Sequence, residues 1–228
     1  MLIVAGTAAQ EIDDWPLPTD IHHWSWIDYE TYLFEHLSAF GRDLAAHLQS
    51  IYAKRGTPER LFTTLVSDLR ETCPVNAVAH LLRHFWHEPV YRYVVNFSSV
   101  TDNGASPPPP DDVGDVTQHR GDVVRASFRY SYHSIDMYHF FSSTGAATGW
   151  LTARGDVSAE QRQQFTDVMR QTVFEFARTG ELSGWQLYPA TKLMSSQISS
   201  VSSNSSYHHE QCELWRVNGM YPRYAWMN

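Results

Sequence analysis

MLIVAGTAAQE, residues 1–11, sets an apolar run, Leu2 to Ala5, directly before Gly6. A run this short, without polar alternation, reads as a strand covered on both faces, the pattern of a parallel sheet rather than of a sheet with one wet side. Nothing ahead of it can pair with it. Met1 therefore reads as an internal start, and the sheet as one that lacks some of its strands.

Downstream the pattern is mainly helical, which makes the fold class α/β. From Asp28, a residue suited to an N-cap, apolar side chains recur every three or four positions at Leu33, Leu37, Phe40, Leu44, Leu48 and Ile51, so one long amphipathic helix is expected. Thr57-Pro58 opens a second helix carrying Leu61, Leu65 and Leu69, and Cys73-Pro74 a third with Val75, Val78, Leu82 and Phe85 on one face. Val90 to Phe97 has the Val and Tyr content of a strand. The prolines 107–110 place an exposed loop between Thr101 and Gly121. Ser158 with Gln161 forms a capping box for a helix through Phe165, Met169, Val173 and Phe176 that stops near Gly180, and Ser195 to Ser206 reads as a serine-rich loop.

With 228 residues, 43% of them hydrophobic and 14% aromatic, the chain can bury the core of an ordinary domain. Its formal charge of −8, with no run of Lys or Arg, would repel a phosphate backbone, so no nucleic-acid partner is expected. No stretch reaches the roughly 18 apolar residues of a membrane span, and the N-terminus lacks the basic start and long apolar centre of a signal peptide.

The segment Ser131 to Phe141, SYHSIDMYHFF, places His133 two residues after a serine and three before Asp136, then runs into aromatics. It resembles the segment that carries the catalytic histidine in type-B carboxylesterases and cholinesterases, where a His-x-x-Asp/Glu step leads into an aromatic stretch. Gly6 and Glu11 match the strand and turn that deliver the acid of the triad in that family. The Cys73-Pro74 helix start, the VYRYVV segment and the FARTG run ending at Gly180 resemble it as well.

The resemblance implies that residues 1–228 are the C-terminal portion of an α/β-hydrolase fold, helix-rich and with an incomplete central sheet. It implies His133 as general base, Glu11 as its acid with Asp13 or Asp14 as alternatives, and Asp136 as a group beside the site. Trp24, Trp26, Phe140 and Phe141 are candidates to line it. In α/β-hydrolases the nucleophile sits on a G-x-S-x-G elbow ahead of the acid and the histidine. The chain holds no such elbow, since Gly104-Ala105-Ser106 runs into prolines and Gly145 to Gly149 has no serine at its centre. The implied reaction is hydrolysis of a small carboxylic ester through an acyl-serine, without cofactor or metal. The implied partner is the N-terminal half of the same fold, and the chain alone is expected to be inactive.

Taken alone, two distant cysteines such as Cys73 and Cys212 are more often buried thiols than a bridge. The Cys73-Pro74 and Cys212-x-x-Trp215 segments resemble the two ends of a cholinesterase disulfide, which implies a bridge and hence secretion or a secretory lumen. The glycosylation sequons at Asn96 and Asn204 fit the same compartment. His80, His84 and His87 have a spacing open to zinc, but a polar helix face is the simpler reading.

A different class of function remains in view. Neuroligin-like adhesion or interaction domains share the cholinesterase fold without the serine. The paired acid and histidine weigh against that reading, because a binding-only domain has no chemical need for them.

Overall fold

The structure, a computed structural model, describes residues 3–12, 18, 20–41, 43–96, 131, 133–141, 159–195, 202–203 and 206–222. The expected loop at 101–121 and the Ser158 cap lie outside them.

The first strand, β1 (Ile3–Ala8), runs on through Gly6 instead of stopping there. Gly6 stands opposite Tyr93 of β2 (Val90–Val95), and a Cβ on it would overlap the Tyr93 ring. The neighbouring side chain thus fills the space that the glycine leaves. β1 pairs in parallel with β2, from Ile3 opposite Val90 to Ala8 opposite Val95, and β2 pairs in parallel with β3 (Thr191–Met194). β4 (Ser202–Ser203) closes the order β1-β2-β3-β4 as an antiparallel fourth strand. It falls where a loop was expected, and two residues are too few to show a period. Among the described residues no strand meets the outer edge of β1.

The expected single helix over 28–51 is two. α1 (Trp26–Leu37) is capped by Ser25: its Oγ accepts from the Asp28 N–H while the Asp28 carboxylate accepts from the Ser25 N–H, so Asp28 belongs to the box and is not the cap. Gly41, at φ 154° and ψ 134°, then breaks the run in a conformation that a side chain would disfavour, and α2 (Leu44–Ile51) restarts it. The spacing looked continuous because Leu33, Leu37, Leu44 and Leu48 all enter one core.

α3 (Pro58–Ser67), started by Thr57 and Pro58, passes through a π-helical turn, Asp68–Thr72, into α4 (Cys73–Phe85). The buried face of α4 is Cys73, Asn76 and Ala79, so the expected apolar face is turned outward, with Val78 and Phe85 exposed. Asn76 faces the sheet because Arg92, fully buried on β2, donates to its Oδ1. The described part closes with α5 (Ile135–Phe141), α6 (Ala159–Thr179) and α7 (His209–Val217).

Two cores result. One gathers Leu33, Leu48, Phe62, Leu65, Leu69 and Trp215 among α1, α2, α3 and α7. The other packs Phe165 and Met169 of α6 and Ile135 of α5 on Ala8, Val95 and Met194. With α4 on one face and α6 on the other, the sheet is covered on both sides, as parallel strands require.

Candidate active site

Past the ends of β1 and β2, three hydrogen bonds lace the chain together. Ala9 N–H donates to Val95 O at 2.8 Å, Gln10 N–H to Ser131 O at 2.9 Å, and Ser131 Oγ–H to Val95 O at 2.6 Å. The segment returning at Ser131 is thereby fixed to the carboxyl ends of two parallel strands, where open α/β sheets hold their ligands.

Two residues on, His133 Nδ1 lies 2.7 Å from Glu11 Oε2. Glu11 Oε1 accepts from the Ala8 N–H. The Glu11 side chain is 8% exposed and that of His133 60%. An ionised carboxylate only accepts, so Nδ1 carries a hydrogen, and in a neutral ring Nε2 is then the acceptor. No described residue engages that nitrogen. Burial raises the Glu11 pKa, since leaving water disfavours the charged form, while the Ala8 N–H and His133 pull the other way.

Asp136, three residues past His133, bonds β2 and its own helix. Its Oδ2 accepts from Tyr93 Oη–H at 2.7 Å and its Oδ1 from the Met137 N–H at 2.8 Å, so it ties the first turn of α5 to β2. Burial, with the Asp136 charge beside it, pushes the Tyr93 phenol upward and keeps it a donor.

A second histidine–carboxylate pair was not singled out by sequence. His208 Nδ1 lies 2.8 Å from both oxygens of buried Asp68, which also accepts from Tyr52 Oη–H at 2.8 Å. Trp215 Nε1–H donates to Tyr52 Oη at 3.0 Å. The disulfide Cys73–Cys212, with Cα atoms 5.0 Å apart, joins the same two segments, as the resemblance implied. His208 stands in no local pattern of the sequence, and Asp68 lies inside a leucine-spaced helix.

Other expected residues are dispersed. Trp24 packs on Tyr32 and Phe62, and Trp26 on Tyr29, so both join the helical core. Phe140 meets Phe141 and Phe174. Asn96 is exposed just beyond β2; Asn204, Asp13 and Asp14 lie outside the described residues. His80 and His84 stack on α4, while His87 follows the helix in a left-handed turn at φ 57°, so the three share no helical face. Among the described residues no cluster of His, Cys, Asp and Glu is arranged to hold a metal, and no helix is long and apolar enough to cross a membrane.

No protein-family model and no curated protein matches the chain. Among solved structures it is similar to an esterase from anaerobic Clostridium hathewayi that can hydrolyze aliphatic aromatic polyesters, with 16% identity and a TM-score of 0.48, over 96% of this chain and 38% of that one. The chain thus spans well under half of that structure's length. At that level of likeness nothing about activity transfers.

Proposed function

We propose that the chain is the acid- and histidine-bearing C-terminal portion of a serine carboxylic-ester hydrolase of the α/β-hydrolase kind, its serine supplied by polypeptide outside residues 1–228. The observation that carries this is the Glu11–His133 contact of 2.7 Å beyond the ends of β1 and β2, with the His133 side chain 60% exposed and no described residue on its Nε2. Nε2 takes the serine proton as the serine oxygen bonds the acyl carbon; the imidazolium, held by the Glu11 carboxylate, then gives that proton to the departing alcohol. Water repeats the sequence and frees the acid. The edge of β1 that no described strand meets is where further strands would add. The disulfide and the exposed Asn96 support an oxidising, glycosylating compartment.

The test is a labelled fluorophosphonate applied to the purified chain and to the chain combined with a polypeptide carrying a G-x-S-x-G elbow. The expected result is no stoichiometric label alone, then label on the elbow serine and hydrolysis of p-nitrophenyl acetate in the combination. A labelled serine within residues 1–228 would sink this division of labour.

A further inference from the structure

The turn that carries Glu11 has to be held by something other than its strand, because β1 ends three residues earlier, at Ala8. Past the bonds that fix Ala9 and Gln10, one hydroxyl does this. Ser67, the last residue of α3 and fully buried, accepts from the Glu11 N–H at 2.9 Å and from the Ile12 N–H at 3.3 Å. Its own hydrogen goes to Thr63 O at 2.7 Å, which points both acceptor lone pairs at the turn. A turn of helix earlier, Thr63 Oγ1 accepts from the Gln10 side-chain amide and donates to Glu59 O. Two consecutive backbone donors of a buried turn therefore depend on a single side-chain oxygen.

We infer that Ser67 is the positioning residue of the Glu11–His133 pair. Loss of its hydroxyl would leave two N–H groups of a largely buried turn without this partner, and the turn would move to find others. Glu11 Oε2 would then leave His133 Nδ1. The inference rests on reading those two residues as the working pair. It concerns their geometry before any substrate arrives.

The readout is the tautomer of His133 in the full chain labelled with 15N-histidine, with the resonance assigned by its loss in His133→Gln. In the native chain the neutral ring should carry its hydrogen on Nδ1, facing the carboxylate. Ser67→Ala should shift it to the Nε2–H form, and Ser67→Thr, which keeps a hydroxyl able to bond the same Thr63 carbonyl, should restore it. Thr72→Val is the control, since Thr72 is as deeply buried, lies in the adjoining π-helical turn and has a hydroxyl with no partner among the described residues. It should leave the tautomer alone. A retained Nδ1–H form in Ser67→Ala, or an equal shift in Thr72→Val, overturns the inference. Should Ser67→Ala not fold, hydrogen exchange of the native chain decides. The Glu11 and Ile12 amides should be protected like those of β1, and exchange at the rate of open chain overturns the inference. Because no ester is present, a negative result here is distinct from failure of the hydrolase proposal.

Discussion

Two histidine–carboxylate contacts of nearly the same length, 2.7 Å at Glu11–His133 and 2.8 Å at Asp68–His208, lie in opposite surroundings. The Glu11 pair stands past the ends of parallel strands with most of its imidazole in water. The Asp68 pair is closed in by Tyr52, Trp215 and a disulfide, and its carboxylate serves a tyrosine as well as the histidine. A short His–carboxylate distance therefore does not mark a reactive site. The opposite ring nitrogen must also be able to reach a substrate.

The largest expected effect tests that contrast directly. In an assembly supplied with the elbow serine, His133→Ala should lower kcat by on the order of 10⁴ to 10⁶ and Glu11→Gln by about 10⁴, since the second change leaves the ring without its orienting acceptor. His208→Ala should leave kcat per folded molecule unchanged. Equal losses at His133 and His208 would break the comparison.

Stability should order the pairs the other way. Asp68→Ala leaves His208 and the Tyr52 hydroxyl facing an empty buried position, and should cost about 3–5 kcal/mol in chemical denaturation, the range for breaking a buried pair. His133→Ala, on an exposed ring, should stay within about 0.5 kcal/mol. Replacing both Cys73 and Cys212 by serine should cost about 2–5 kcal/mol, because the bridge closes a long loop between residues 139 apart. If His133→Ala unfolds the chain as readily as Asp68→Ala, the exposed pair is structural too.

How much of this was legible beforehand follows from the kind of signal each residue gives. Glu11 and His133 came from resemblance in short segments, and the structure brings these two distant positions together. The Cys73–Cys212 bridge came the same way. Apolar periodicity found the helices that feed the main core but could not see the break at Gly41, since both halves keep the same leucine spacing. It misjudged the outer face of α4, because the sheet-facing position there is Asn76, chosen by a buried arginine. Asp68 and Ser67 act through partners far along the chain, and no local spacing encodes such a contact.

A third histidine sharpens the comparison by the depth of its burial. His139 is fully buried, with Nδ1 2.8 Å from Thr166 Oγ1 and the Phe165 ring set edge-on beside it. Burial, helped by the charge of Arg162, lowers its pKa to about 4, against 6.5 for an open imidazole. The unfolded chain takes up this proton first as pH falls. The stability associated with His139 is thus whole above pH 6.5 and lost between 6.5 and about 4, a change of up to about 3 kcal/mol. His139→Leu should flatten that part of the pH profile of denaturation. An unchanged slope would place the acid sensitivity elsewhere.

The smallest effect is expected at Glu11 itself, where activity and stability should part. Its pKa is raised by burial, so the folded chain holds the Glu11 proton more tightly than the unfolded chain does. Stability then declines as pH rises from the ordinary carboxyl value through the folded one, and above that window the ionised side chain carries the whole cost of desolvation. Glu11→Gln keeps the size and an oxygen for the Ala8 N–H but cannot ionise. At neutral pH the variant should be as stable as the native chain or slightly more so, and below the window the difference should vanish, even though its kcat in the assembly has collapsed. Thermal denaturation of both forms across pH 4 to 8 reads this out. A variant clearly less stable at neutral pH would mean that the bond to His133 outweighs the burial cost, and that the exposed pair supports the fold as much as any chemistry.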